Sequence, residues 1–194
     1  MPDVIVKVGG GLLSTAGDLD GVLAALSALA RWCRLLIVPG GGPFADAVRA
    51  VDRNRAIPDD AAHWMAVLAM DQYAHLLAAR LDGAEIVADL AETRSALAAH
   101  RIPVLTAYKW LRDEDPLPHT WDVTSDSIAA WVAGVSGARE IVLVKPRGAT
   151  GDLLDAYFAR AIPSHVRTTI ATAEQVGDVF RDIAARSTRN VETA

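Results

Sequence analysis

The sequence predicts an α/β protein with a mostly parallel sheet covered by helices on both faces. Three observations predict it. Apolar runs of strand length alternate with stretches of helical periodicity. Two of those runs, Val4-Ile5-Val6-Lys7-Val8 and Leu35-Leu36-Ile37-Val38-Pro39, lead straight into glycine triplets, Gly9-Gly10-Gly11 and Gly40-Gly41-Gly42. The chain has 194 residues, 52% of them hydrophobic, enough to bury one sizeable core.

The elements follow in order. After the first strand and triplet, Leu19 to Arg34 has helical periodicity with Leu23, Leu26, Ala30 and Cys33 on one face. The second strand and triplet lead into a helix from about Pro43 to Val51, since proline suits a first helical turn. Asn54 to Pro58 breaks the pattern, and Asp59-Asp60 caps a long helix running to Leu81 before Asp82-Gly83. Glu85 to Ala88 and Ile102 to Leu105 read as strands around a helix near Leu90 to His100. Ala107 to Trp121, with Pro116, Pro118 and several charges, reads as a surface loop. Then come a helix from Thr124 to Val135, a buried strand Ile141 to Val144, a weaker strand Thr168 to Ala171 and a helix Ala173 to Ala185. Ser187 to Ala194 is a polar tail expected to fray. The whole chain is expected to be a single domain of two soft lobes, about 1–110 and 111–186.

Composition excludes several classes. A net charge of −5 with scattered basic residues offers no footprint for nucleic acid or an anionic membrane. No apolar stretch reaches transmembrane length. The single cysteine, Cys33, reads as buried filler, and with no signal peptide the expectation is a reducing cytoplasm. The five histidines are isolated in sequence, so no metal-ligand spacing appears. The P-loop, the dinucleotide Gly-x-Gly-x-x-Gly and the Gly-x-Ser-x-Gly elbow are all absent.

What remains points to phosphate. Successive glycines present bare N–H groups to an anion, and a helix start behind them adds partial positive charge. Lys7 and Lys145 each end an apolar strand, where a lysine either snorkels or neutralises a phosphoryl group. Asp126 opens an apolar helix within Asp122-Val123-Thr124-Ser125-Asp126-Ser127. Capping by Thr124 or Ser125, with Asp126 complementing the helix dipole, accounts for this segment as well as an Asp126 that orients a lysine. Asp46, one turn into the helix after the second triplet, complements the dipole or meets a cationic group on a substrate. Trp64, Met65 and Met70 read as core more than pocket wall.

Lys7-Val8-Gly9-Gly10, Pro39-Gly40-Gly41-Gly42-Pro43-Phe44-Ala45-Asp46 and Thr124-Ser125-Asp126-Ser127-Ile128-Ala129 occur in an order and spacing that resemble the amino acid kinase superfamily. That superfamily includes acetylglutamate, carbamate, uridylate and isopentenyl phosphate kinases, and the resemblance runs from Val4 to about Val144. The narrower likeness is to the small kinases of methanofuran biosynthesis and their methylotroph relatives, which act on (aminomethyl)furanylmethyl phosphate. His63-Trp64-Met65-Ala66, Ala69-Met70-Asp71-Gln72 and Trp121 support it.

The resemblance implies a three-layer αβα sandwich and an ATP-dependent kinase. Lys7, Gly9, Gly10, Gly11, Thr124, Ser125 and Lys145 would hold ATP. Gly40, Gly41, Gly42 and Asp46 would hold the phosphorylated acceptor, and Asp126 would organise the two lysines as catalytic groups. Magnesium would come with the nucleotide phosphates, and a homo-oligomer, dimer or larger, is implied. Isopentenyl phosphate kinases carry histidine where this chain has Asp46, which suits an amine-bearing substrate. Pro146-Arg147-Gly148 replaces the usual Asp-Gly after the second lysine. The alternatives are a uridylate, other phosphate or carboxylate kinase of the same fold, or a non-catalytic nucleotide-binding member.

Overall fold

A computed structural model describes residues 1–192, with side chains described through residue 188. Six parallel strands form one sheet: β1 (Val4–Val8), β2 (Leu35–Pro39), β3 (Ala84–Val87), β4 (Ile102–Leu105), β5 (Glu140–Lys145) and β6 (Arg167–Thr172), in the order β3-β4-β2-β1-β5-β6. Strands buried on both faces need apolar residues at every position, and β1 and β2 are buried throughout. The helices are α1 (Asp18–Leu29), α2 (Gly42–Arg55), α3 (Asp59–Arg80), α4 (Leu90–Ala98), α5 (Tyr108–Glu114), α6 (Ser125–Ser136), α7 (Phe158–Ala161) and α8 (Val176–Glu192). This is the three-layer α/β arrangement expected.

Period-two alternation divides each strand between two cores. Ile5, Leu36, Val38, Ile141 and Leu143 face Trp64, Val67 and Met70 of α3 and Ile128 and Val132 of α6. Val4, Val6, Val8, Ile37, Val142 and Val144 face Val22 and Leu26 of α1, Tyr73 and Leu77 of α3, and Phe180 and Ile183 of α8.

Several expectations are corrected. Ala107 to Trp121 is not simply a surface loop: α5 lies within it and buries Trp110 and Leu111. Asp71, far back on α3, accepts hydrogen bonds from Ala107 N at 2.7 Å and Tyr108 N at 3.3 Å and so starts that helix. α1 stops at Leu29, five residues short of Arg34, and α2 runs on to Arg55 before Ala56 turns at φ 47°. Cys33 is half-buried, and burial followed by the charges of Asp3 and Glu140 pushes its thiol up to about 12, which keeps it a weak nucleophile. The tail expected from Ser187 is helical through Glu192; residues 193–194 lie outside the described residues. Among the described residues no helix is long and apolar enough to cross a membrane.

Candidate active site

The sheet itself brings the two lysines together. β1 pairs with β5 so that Lys7 lies beside Leu143, and Lys145 follows two residues on. Residues two apart on a strand share a face, so Lys7 and Lys145 project to one side from neighbouring strands. The first turn of α6 covers that side and carries Asp126. Lys145 Nζ donates to Asp126 Oδ2 at 2.8 Å, and Lys7 Nζ forms an ion pair with Oδ1, also at 2.8 Å. Lys7 and Asp126 are only 5% and 4% exposed.

Charge at this depth must be balanced. Burial alone would raise the Asp126 carboxyl, but the ammonium groups of Lys7 and Lys145 outweigh it and hold the group below the usual carboxylate range. Lys145 is lowered from the ordinary lysine value by burial and by repulsion from Lys7, with Asp126 opposing. One carboxylate thus serves two ammonium groups and leaves a net positive charge for an anion.

The glycine triplets meet at this point. Gly9 N donates to Val144 O at 2.9 Å and Gly40 N to Val8 O at 2.8 Å, so these two glycines extend the ladder beyond the strands. The N–H groups of Gly10, Gly11, Gly41 and Gly42 have no hydrogen-bond acceptor among the described residues. Close approach demands glycine here: a Cβ on Gly10 would sit 2.1 Å from Gly42 N, and Gly42 itself turns at φ +53°. These four glycines and Lys7 line one cavity.

Neither expected cap of α6 is made. Thr124 stands at the N-cap, but its hydroxyl donates to Asp155 Oδ2 at 2.8 Å, and its N–H donates to the same oxygen at 2.8 Å. Ser127 N donates to Asp155 Oδ2 at 3.0 Å, and Ser127 Oγ to Oδ1. Asp155 was not singled out from sequence. It frees Asp126 from capping and fastens the segment after Lys145 to α6. The other end of that segment is held where Arg147 N donates to the buried Asp18 at 2.8 Å.

The cavity has a volume of about 330 Å³. Thr124 and Ser125 line it with Lys7, while Ala66, Val67, Met70, Val123 and Ile128 form an apolar wall. Met70 is thus both core and wall, whereas Trp64 lies in the core alone. Asp46 lines the opening but is bound by Arg49 Nη1 at 2.9 Å, and Arg49 lies 5.1 Å over the Trp121 ring. Trp121 Nε1 in turn donates to Asp52 at 2.8 Å. Asp126, Lys145, Gly9 and Gly40 stand behind the cavity surface rather than on it.

A parallel sheet with a lysine–aspartate–lysine cluster and paired glycine loops at its carboxyl edge defines an α/β protein whose candidate site lies between two loops. Residues 3–146 match the profile of the Amino acid kinase family, and the chain belongs to that family. It is 30% identical over 141 residues to the [5-(aminomethyl)furan-3-yl]methyl phosphate kinase of Methanocaldococcus jannaschii, a match covering 72% of this chain. The matched region spans 63% of that relative, less than two thirds of its length. The fold is similar to uridylate kinase from Archaeoglobus fulgidus, with TM-score 0.70 and 15% identity over 92% of this chain and 95% of that one. It is similar also to UMP kinase from Ureaplasma parvum, with TM-score 0.73 and 13% identity over 92% of each chain.

Proposed function

We propose that the protein is an ATP-dependent kinase that phosphorylates a phosphate monoester, [5-(aminomethyl)furan-3-yl]methyl phosphate, to its diphosphate. The observation that carries this reading is the buried Lys7–Asp126–Lys145 cluster beside two glycine loops with free N–H groups. The acceptor is assigned from the relative with 30% identity and from Asp46 at the cavity opening.

In this reading Gly9 to Gly11, Thr124, Ser125, Lys7 and Lys145 hold the ATP phosphates, and Gly40 to Gly42 hold the acceptor phosphate. An acceptor phosphate oxygen attacks the γ-phosphorus in line. The bond from that phosphorus to the bridging oxygen of ADP breaks as the new P–O bond forms, with no covalent enzyme intermediate. Lys7 and Lys145 neutralise charge spreading over the transferred group, and Asp126 fixes their positions. Both oxygens of Asp126 are already engaged by ammonium groups, so magnesium is assigned to the nucleotide phosphates, whose charge it neutralises. Asp46 receives the acceptor's amine in exchange for Arg49. Residues 1–110 then form the acceptor lobe and 111–186 the nucleotide lobe of one cytoplasmic, homo-oligomeric enzyme.

The test is ADP release with magnesium ATP and a panel of acceptors: the aminomethylfuran phosphate, UMP and acylated amino acids. Turnover confined to the furan phosphate supports the proposal. Turnover confined to UMP or a carboxylate replaces its acceptor, and ATP binding without turnover of any acceptor makes the chain a nucleotide-binding member.

A further inference from the structure

The cavity between the two glycine loops contains one buried polar side chain that the proposed reaction leaves unused. His63 stands on the first turns of α3, is 8% exposed and lines the cavity. No hydrogen bond joins either ring nitrogen to another described residue; the imidazole bonds at this place are those of His119. The surrounding wall of Ala66, Val67 and Met70 offers the His63 ring no polar side chain, so the nitrogens remain available to a ligand in the cavity.

The neighbours hold the ring but do not satisfy it. His119 stacks on it with centroids 4.2 Å apart and planes 16° apart, and Trp64 meets its edge at 4.8 Å. The two nearby carboxylates are spent on His119: Asp60 Oδ1 lies 2.6 Å from Nδ1 and Asp115 Oδ1 lies 2.8 Å from Nε2. Arg112 is occupied over the far ring, Trp64, at 4.5 Å. His63 therefore has a fixed plane and free nitrogens on a cavity wall.

We propose that His63 is a specificity-determining residue whose imidazole nitrogen accepts a hydrogen bond from the ammonium group of the acceptor. The inference rests on the reading that this cavity takes a phosphorylated amine. An ammonium group carries three N–H donors, and the single carboxylate of Asp46 does not satisfy them. An uncharged imidazole accepts from an ammonium, whereas an imidazolium repels it. Burial and the His119 ring beside it lower His63 to about 4, which keeps it uncharged at neutral pH. The stack on a clamped His119 holds the ring in place before the ligand arrives, which lowers the ordering cost of binding.

The experiment compares wild type, His63→Phe and His63→Gln. Each is tested with the aminomethylfuran phosphate and with its analogue bearing methyl in place of the amine. Calorimetry gives Kd, ADP release gives KM and kcat, and a melting curve verifies folding. His63→Phe is expected to weaken the amine acceptor roughly ten-fold or more, the usual scale for a hydrogen bond to a charged group. The methyl analogue and ATP should bind it as they bind wild type, kcat should hold, and His63→Gln should recover part of the loss. If folded His63→Phe binds both acceptors as wild type does, or loses both equally, the assignment is overturned while the kinase reading stands. If wild type does not bind the amine acceptor at all, the acceptor reading falls and takes the His63 assignment with it.

Discussion

Replacing Asp126 with asparagine keeps the side chain's shape and removes the one negative charge between two ammonium groups, each 2.8 Å away. At an effective dielectric near 20, each contact carries about 6 kcal/mol of gross attraction. Desolvation offsets much of that, and removing one partner of a buried pair costs about 3–5 kcal/mol net. For a chain of this length the melting temperature should fall by roughly 6–20 °C. A residue that merely complemented the dipole of α6 would cost about 1 kcal/mol or less. Turnover should fall by about 100-fold or more, because the lysines lose the group that orients them. Affinity for magnesium ATP should hold or rise, since two ammonium groups are released to meet the anion. Thermal melting, calorimetry with ATP and ADP release on one preparation separate these effects. A melting point within about 3 °C of wild type, or near-normal kcat despite a lowered one, would refute the reasoning.

Lys7→Ala should fold and still lose roughly 10²- to 10³-fold in kcat, by analogy with deleting one oxyanion donor, as read by single-turnover ADP release. Asp155→Ala removes the one side chain that caps α6 among the described residues and should cost about 2 kcal/mol in urea denaturation, with a parallel loss of turnover. The pH dependence of stability has two opposing parts. His63 is held neutral with a value of about 4 against 6.5, so its contribution is full above pH 6.5 and is lost as pH falls towards 4. Asp71 is raised by burial to about 6 from 3.8, despite two backbone N–H donors, so its contribution is full below 3.8 and is lost as pH rises through 6. Denaturant titrations between pH 4 and 6.5 should therefore show stability falling with acid in Asp71→Asn and rising with acid in His63→Phe. Identical slopes in both variants and wild type would remove these two groups from the account.

The six strands, the long helix and the lysines and glycine loops at the strand ends were legible because their signals are local. An apolar run followed by a glycine triplet states both a buried strand and the turn leaving it. Lys7 and Lys145 were recognisable because a charge at the end of an apolar strand is an exception to its own pattern. Their convergence on Asp126 needed register as well. The pairing of Lys7 with Leu143, rather than with its neighbours, puts both ammonium groups on the α6 side, and a slip of one residue would send one of them into the opposite core.

The failures share a different physical origin. Capping rules look for a side chain within a turn of the helix start. α5 begins on the carboxylate of Asp71, 36 residues before Ala107, so Ala107 to Trp121 contains prolines and charges but no cap of its own. α6 shows the reverse error: Thr124 and Ser125 look like caps, yet Asp155, 31 residues after Thr124, supplies the acceptor. That distant cap matters for the site as well as for the helix. A local cap would have tied up the Ser125 hydroxyl or the carboxylate of Asp126. By accepting the exposed N–H groups of Thr124 and Ser127 from outside, Asp155 leaves Asp126 free to lie between the lysines. The same contact makes the segment after Lys145 part of the seat of α6, so a change in that segment should reach Asp126 without touching it.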